Sequence, residues 1–402
     1  MIMKQVFEPW SIGTLTLKNR IIRSATHEGM ANPDGSPTEH LLKNYRKLAA
    51  GGVGAIITGY VSVMQNGKTF RNMRMFDSDL YIDIYRSINE QLRQYDTPVI
   101  LQIAHGGYGA NAKVSGQAVI GPSFRKKNEH GDVCKEASDA DIESIIDAFV
   151  CATVRAKAAG FAGIQFHAAH GYLLSEFISE KLNKRRDKWG GPIENRLRIV
   201  TEILNRARQE TGTFPLLVKI SGHDQTGRDI TETDTIAMAR LLQNSSCDAL
   251  EVSCGYGDFM NTIRVARIPI DAILGLMPAY RDKPAYQKLL FRLLAPFLLK
   301  THKPILNYNL RTAELIKKQV SIPVFVVGGI RHLKDIRAII SEKDLDGVSL
   351  SRPFIIEPSL VEKFQKGQES SKCINCGYCL IGAVDNPLKC YYGKVPKSCS
   401  NR

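Results

Sequence analysis

Eight short β-rich apolar runs, each parted from the next by a longer interval, constrain this chain most. They cover residues 21–26, 55–60, 98–104, 162–167, 216–221, 249–253, 323–328 and 347–351. Helical periodicity occupies 40–50, 81–95, 139–159, 194–210, 233–243, 313–319 and 333–341. Strands that alternate with helices run parallel, because each helix carries the chain back before the next strand starts. The expectation is an α/β fold, and eight such units suit a closed TIM (β/α)8 barrel better than a doubly wound open sheet. Helix starts support the pattern. Ser138-Asp139-Ala140-Asp141 offers capping oxygens ahead of the stripe Ile142, Ile145, Ile146 and Phe149. Thr231-Glu232-Thr233-Asp234 does the same ahead of Ile236 and Met238. Two stretches break the rhythm. Residues 106–137 read as a long loop after the third strand, and 255–303, with Pro269, Pro278, Pro284 and Pro296, as a loop with a helical piece.

The chain has 402 residues, of which 44% are hydrophobic and 23% charged, so a large core can be buried. No apolar run approaches the roughly 20 residues that span a bilayer. The start, M-I-M-K-Q-V-F-E-P-W, lacks the pattern of a signal peptide. A soluble, cytoplasmic protein with no membrane partner is expected. The net charge of +14 comes from scattered basic residues with no nucleic-acid-binding signature, so no nucleic-acid partner is expected either. A basic surface still favours anionic cofactors and substrates.

Chemistry concentrates where strands end. The segment 164–172, I-Q-F-H-A-A-H-G-Y, runs from an apolar strand into His167, His170 and Tyr172. Two imidazoles can donate to an oxygen and a phenol can give a proton, which points to a carbonyl substrate. A zinc pair is the other reading of His-x-x-His, but no third ligand of suitable spacing follows. Gln102 ends the third strand, and Lys219 sits within the fifth. Gly328 and Gly329 end the seventh strand, Ser351 and Arg352 the eighth. Adjacent glycines expose backbone N–H groups and an arginine adds a two-pronged donor, so these ends suit a phosphate.

Six segments together resemble the Old Yellow Enzyme family of NADH:flavin oxidoreductases. They are L-K-N-R-I-I-R-S-A-T (17–26), Q-I-A-H-G-G (102–107), F-H-A-A-H-G-Y-L-L-S-E-F (166–177), R-R-D-K-W-G-G-P-I-E-N-R (185–196), V-V-G-G-I (326–330) and S-R-P-F-I (351–355). The resemblance spans about residues 5–362 and implies FMN at the C-terminal ends of the strands, reduced by NAD(P)H. It implies that Ser24, Ala25 and Thr26 lie beside the flavin ring and that Gly59 or Tyr60 flanks it. Gln102 would bond the pyrimidine edge, and Lys219 would take the place of a cation near N1 and the C2 carbonyl. Gly328, Gly329, Ser351 and Arg352 would hold the phosphate. His167 and His170 match the pair that binds a substrate carbonyl, and Tyr172 the proton donor. The implied reaction is reduction of the C=C bond of an α,β-unsaturated carbonyl compound by hydride from flavin N5. Two departures concern the substrate side. His27 stands where some members have a redox-tuning cysteine, and Tyr108 where an arginine is often found.

Nine cysteines are unevenly placed, and five fall in the last thirty residues. Cys373, Cys376, Cys379 and Cys390 have a metal-type spacing, and four thiolates suit an iron–sulfur cluster or zinc. Within the family, the branch of 2,4-dienoyl-CoA reductase and trimethylamine dehydrogenase carries a similar run that binds a [4Fe–4S] cluster. The expected division is a barrel over 1–362 and a Cys-rich segment over 363–402. Those relatives continue into further nucleotide-binding domains, whereas this sequence stops at Arg402, so no second flavin is expected here. A cluster serving a separate electron-transfer protein, a structural metal and a metal-free remnant all remain open. The alternatives to an ene-reductase are a flavin electron-transfer subunit and an amine dehydrogenase or demethylase. A homo-oligomer is expected.

Overall fold

The computed structural model describes residues 4–223, 229–255, 269–298 and 305–394. Eight parallel strands form its centre: β1 (Ile21–Arg23), β2 (Ala55–Ile57), β3 (Val99–Ala104), β4 (Gly163–Ala168), β5 (Leu216–Ser221), β6 (Ala249–Ser253), β7 (Val324–Val327) and β8 (Gly347–Leu350). Each pairs with the next, and β8 pairs with β1, so the sheet closes into a barrel. The strand positions agree with the sequence pattern to within a few residues. They read as continuous apolar runs because helices cover their outer faces. The caps fall where the sequence placed them: Ser138 and Asp141 form a capping box for the helix Asp139–Ala158, as do Thr231 and Asp234 for Glu232–Asn244.

The barrel interior is layered with the strand period of two. At its N-terminal end, Ile22, Ala55, Ile57, Ile100, Leu217, Ala249 and Phe325 pack against Trp10, Ile12 and Leu17 of an antiparallel hairpin. Gly347 belongs to this plug, since a Cβ there would stand 3.0 Å from the Trp10 ring. Two residues further along the strands, the inward positions are Ser24, Gln102, Gln165, Lys219, Glu251 and Ser349, all buried. An apolar floor thus carries a polar layer beneath the mouth of the barrel.

The two stretches that broke the sequence rhythm are more regular than loops. Within 106–137, Val119–Gly121, Arg125–Lys127 and Val133–Glu136 form a three-stranded sheet. Val119, Cys134 and Ala110 give it a small core of its own, too short to stand out as a pattern. Within 255–303, the described part is mostly helical, over Ile270–Leu276, Pro278–Arg281 and Ala285–Leu298. Proline is tolerated in a first helical turn, so Pro269 and Pro278 mark helix starts rather than loop.

The Cys-rich segment folds onto the barrel mouth. Its short helix, Tyr378–Gly382, packs through Ile381 on Ala272, Ile273 and Leu276, with Tyr391 in the same cluster. Leu388 N donates to Glu28 O at 2.7 Å, and Arg331 Nη1 to Cys373 O at 3.1 Å. Among the described residues, no helix is long and apolar enough to cross a membrane.

Candidate active site

The polar layer forms one connected network under the mouth. Glu251, fully buried at the centre of β6, accepts from Gln165 Nε2 at 2.9 Å, Ser24 Oγ at 2.7 Å and Ser349 Oγ at 2.6 Å. Lys219 Nζ lies 3.4 Å from the same carboxylate and donates to Ser24 Oγ at 3.0 Å. Gln102 Nε2 donates to Gln165 Oε1 at 2.7 Å. Burial lowers the affinity of Lys219 for its proton, and Glu251 opposes that shift. The carboxylate therefore helps keep a cation at the cavity floor.

Above this floor stand the groups of 164–172. His167 pairs in register with Lys219 across β4 and β5. Its ring meets those of His170 and Tyr172 edge-on, each at 5.0 Å. His170 takes the left-handed backbone conformation (φ 66°), which turns its side chain back to the barrel. Its backbone N donates to Ser221 Oγ at 3.0 Å, and its Nε2 lies 2.7 Å from Ser253 Oγ. Burial, with the Lys219 charge, pushes the His170 pKa down to about 3. Burial, then His170 and Lys219, holds His167 far below its ordinary value. Both imidazoles are neutral at physiological pH. The Nδ1 of His167 is buried without a hydrogen-bond partner. The Tyr172 hydroxyl donates to the Tyr60 hydroxyl at 3.0 Å, and Tyr60 lies 3.2 Å from Thr69 Oγ1. Burial raises the pKa of both phenols, so both keep their protons.

One open cavity gathers nearly every residue singled out from the sequence. Ser24, Ala25, Thr26, Tyr60, Gln102 and Lys219 line it, as do His167, His170 and Tyr172. So do Gly328, Gly329, Ser351 and Arg352 at the ends of β7 and β8. Gly329 has φ 72°, and a Cβ there would come within 2.6 Å of Ile305 O, so this turn needs glycine. Gly59 does not line the cavity. It faces the other way: its N donates to Glu28 Oε1 at 2.9 Å, and a Cβ would strike that carboxylate. Of the two departures, His27 lines the cavity, with its ring 4.9 Å from Phe70 and 5.5 Å from Tyr60. Tyr108 does not, and instead lies under the Arg125 guanidinium at 3.4 Å.

Sequence reasoning missed Gln165, Glu251, Ser253 and Ser349. A signal existed for the first two: an amide and a carboxylate inside runs otherwise apolar, where an unpaired polar group is costly. Also unforeseen was the support beneath Thr26–Glu28. There the Glu28 carboxylate accepts from Arg23 at 2.8 Å, Arg74 at 2.9 Å and Tyr45 at 3.0 Å. Burial alone would raise its pKa, but the two guanidiniums hold it below the ordinary value.

Cys373, Cys376, Cys379 and Cys390 line a second, smaller cavity, and Arg352 borders both. Burial pushes the Cys379 thiol up to about 12 and raises Cys373 and Cys376, while Arg352 pulls all three down. Among the described residues, no set of three or more His, Cys, Asp or Glu side chains is arranged to hold a metal ion.

Residues 5–266 match the NADH:flavin oxidoreductase / NADH oxidase family. The chain belongs to that family. Residues 302–390 also match the dihydrouridine synthase family. The chain is 31% identical to an NADH oxidase of Thermoanaerobacter brockii over 390 residues, 96% of this chain and 54% of the oxidase. It thus spans about half the length of that relative. It is 33% identical to an NADPH dehydrogenase of Bacillus licheniformis over 261 residues, 63% of this chain and 74% of the dehydrogenase. A solved 2-naphthoyl-CoA reductase complex shares the fold, with a TM-score of 0.81 at 21% identity over 96% of this chain and 56% of that one.

Proposed function

We propose that this family member is an FMN-dependent NAD(P)H oxidoreductase that reduces the C=C bond of α,β-unsaturated carbonyl compounds. The observation that carries the reading is the convergence of His167, His170 and Tyr172 on the cavity that Gln102, Lys219, the glycine pair and Arg352 also line. The residues fit FMN. Gly328, Gly329, Ser351 and Arg352 would hold the phosphate, Gln102 and Lys219 the polar edge of the ring, and Ser24, Ala25 and Thr26 its flank. FMN, when bound, supplies the hydride relay between NAD(P)H and the substrate. The protein's part is to orient and polarise. His167 and His170, both lining the cavity as neutral imidazoles, act as donors to the carbonyl oxygen, where negative charge develops. Tyr172 gives its proton to the α-carbon, and Tyr60, within hydrogen-bond reach, can return one.

The reading of the substrate as a carbonyl compound rather than an amine rests on the two neutral imidazoles and the phenol that line the cavity. The four cysteines support a second component, a [4Fe–4S] cluster that passes electrons to a partner protein. What supports it is the spacing of the four cysteines in the chain and their place around one cavity, which Arg352 also borders.

The test is anaerobic purification with flavin bound, reduction by NADH or NADPH, and reoxidation by 2-cyclohexenone. Prompt reoxidation supports the reading. A flavin that stays reduced with every enone offered overturns it.

A further inference from the structure

The Cys-rich segment supplies a wall of the reaction cavity as well as its thiols. Leu380, Ala383, Val384 and Leu388 all line that cavity. They lie between Cys379 and Cys390 or beside them, yet present an apolar surface to the barrel mouth. Leu380 and Val384 are half-buried with space in front of them, whereas Ala383 and Leu388 are buried.

Contacts place this wall on the substrate side. A Cβ on Gly29 would come within 2.9 Å of Asn386 O and 3.1 Å of Ala383 O. Leu388 N donates to the carbonyl of Glu28. The turn 383–388 therefore rests on the loop that carries His27. That ring in turn packs on Phe70 and Tyr60, and Tyr60 holds the Tyr172 hydroxyl. The wall thus continues the aromatic surface beside the proton donor. The phosphate-type cradle is built at the ends of β7 and β8 and meets the Cys-rich segment through Arg352, which also borders the cysteine cavity.

We infer that Leu380, Val384 and Leu388 form a substrate-selecting surface, and that the enzyme takes enones with a bulky apolar body rather than small or polar ones. The inference rests on the reductase reading above. The carbonyl is held at the polar floor by the histidines, and the remainder of the molecule is desolvated against Phe70 and the three aliphatic side chains. Desolvation of that body strengthens binding in proportion to the apolar area removed from water.

The test compares 4-phenyl-3-buten-2-one with 2-cyclohexenone on anaerobically purified, flavin-loaded protein. Wild type should favour the phenyl enone in kcat/KM. Val384→Trp should cut kcat/KM for the phenyl enone by about tenfold or more, through KM, and change that for cyclohexenone by less than about threefold. Leu380→Asn, close in size but polar, should raise KM for the phenyl enone and leave kcat near wild type. It keeps the test open if the tryptophan variant folds poorly. Flavin content and the rate of flavin reduction by NAD(P)H should stay at wild-type values in both. Equal losses on both enones together with flavin release would mean that the wall serves the cofactor, and no change on either would mean that it meets no substrate. Both results overturn the inference while leaving the reductase reading standing. Wild-type flavoprotein that turns over neither enone overturns the reductase reading itself, and the inference with it.

Discussion

The Tyr172 hydroxyl lies 3.0 Å from the Tyr60 hydroxyl and donates to it, with the two rings 5.2 Å apart. Tyr172→Phe should slow reoxidation of reduced flavin by an enone about 10²–10⁴-fold and leave reduction by NAD(P)H nearly intact. Tyr60→Phe should slow the same step less, because it removes only the neighbour. Stopped-flow absorbance of the two half-reactions separates these effects. Equal loss in both halves would remove Tyr172 from the role of acid.

Glu251 is fully buried and holds four donors. Glu251→Ala leaves Lys219 buried without its counter-charge and should cost about 3–5 kcal/mol. Glu251→Gln keeps the shape and part of the bonding, and should cost less. Urea unfolding midpoints with flavin fluorescence would rank the two. A silent Glu251→Ala would show that Lys219 is solvated or neutral in the folded protein.

Four histidines, His105 and His167 buried and His27 and His170 half-buried, make the fold sensitive to acid. Burial lowers the pKa of His27 to about 4 and of His105 and His170 to about 3, from 6.5. The unfolded chain binds these protons near pH 6.5, while the folded chain refuses them until far lower. Their contribution is thus complete above pH 6.5 and is lost as pH falls toward the folded values. Thermal midpoints should fall steadily from pH 7 to 4, and His105→Gln should flatten part of that slope.

Glu176 behaves in the opposite sense. Burial pushes its pKa up to about 8, its Oε1 accepts from Tyr108 N at 2.8 Å, and its Oε2 has no partner. Stability from the protonated acid is full below its ordinary pKa and declines as pH rises through about 8. Glu176→Gln should therefore gain in thermal midpoint relative to wild type as pH rises from 5 to 8.5. A constant difference across that range would mean that the acid is ionised in the folded state.

Cys379 is the most buried of the four clustered thiols. Cys379→Ser should abolish the broad visible absorbance and iron content expected of a cluster in anaerobically purified protein. FMN should persist, because its proposed phosphate donors lie at the ends of β7 and β8. Iron analysis with an absorbance scan tests this, and iron retained in the variant would exclude Cys379 as a ligand.

The sequence determined by itself the eight strand–helix units, their caps and the polar residues at the strand ends. Those features are local: a buried parallel strand needs an apolar run, and a helix start needs a capping oxygen. It also offered His167, His170 and Tyr172 as candidates for carbonyl chemistry, because they adjoin in the chain. Only the tertiary structure decided that Glu251, Gln165, Ser24 and Ser349, drawn from four strands, share one network with Lys219. In a parallel barrel both strand faces are buried, so no alternation of polarity marks which residues point inward. Barrel closure, a non-local event, sets which residues meet. The same holds for Gly59, which faces Glu28 while Tyr60 faces the cavity. It holds also for the Cys-rich segment, whose spacing announced thiol chemistry but whose aliphatic residues became a cavity wall only when the segment folded over the mouth.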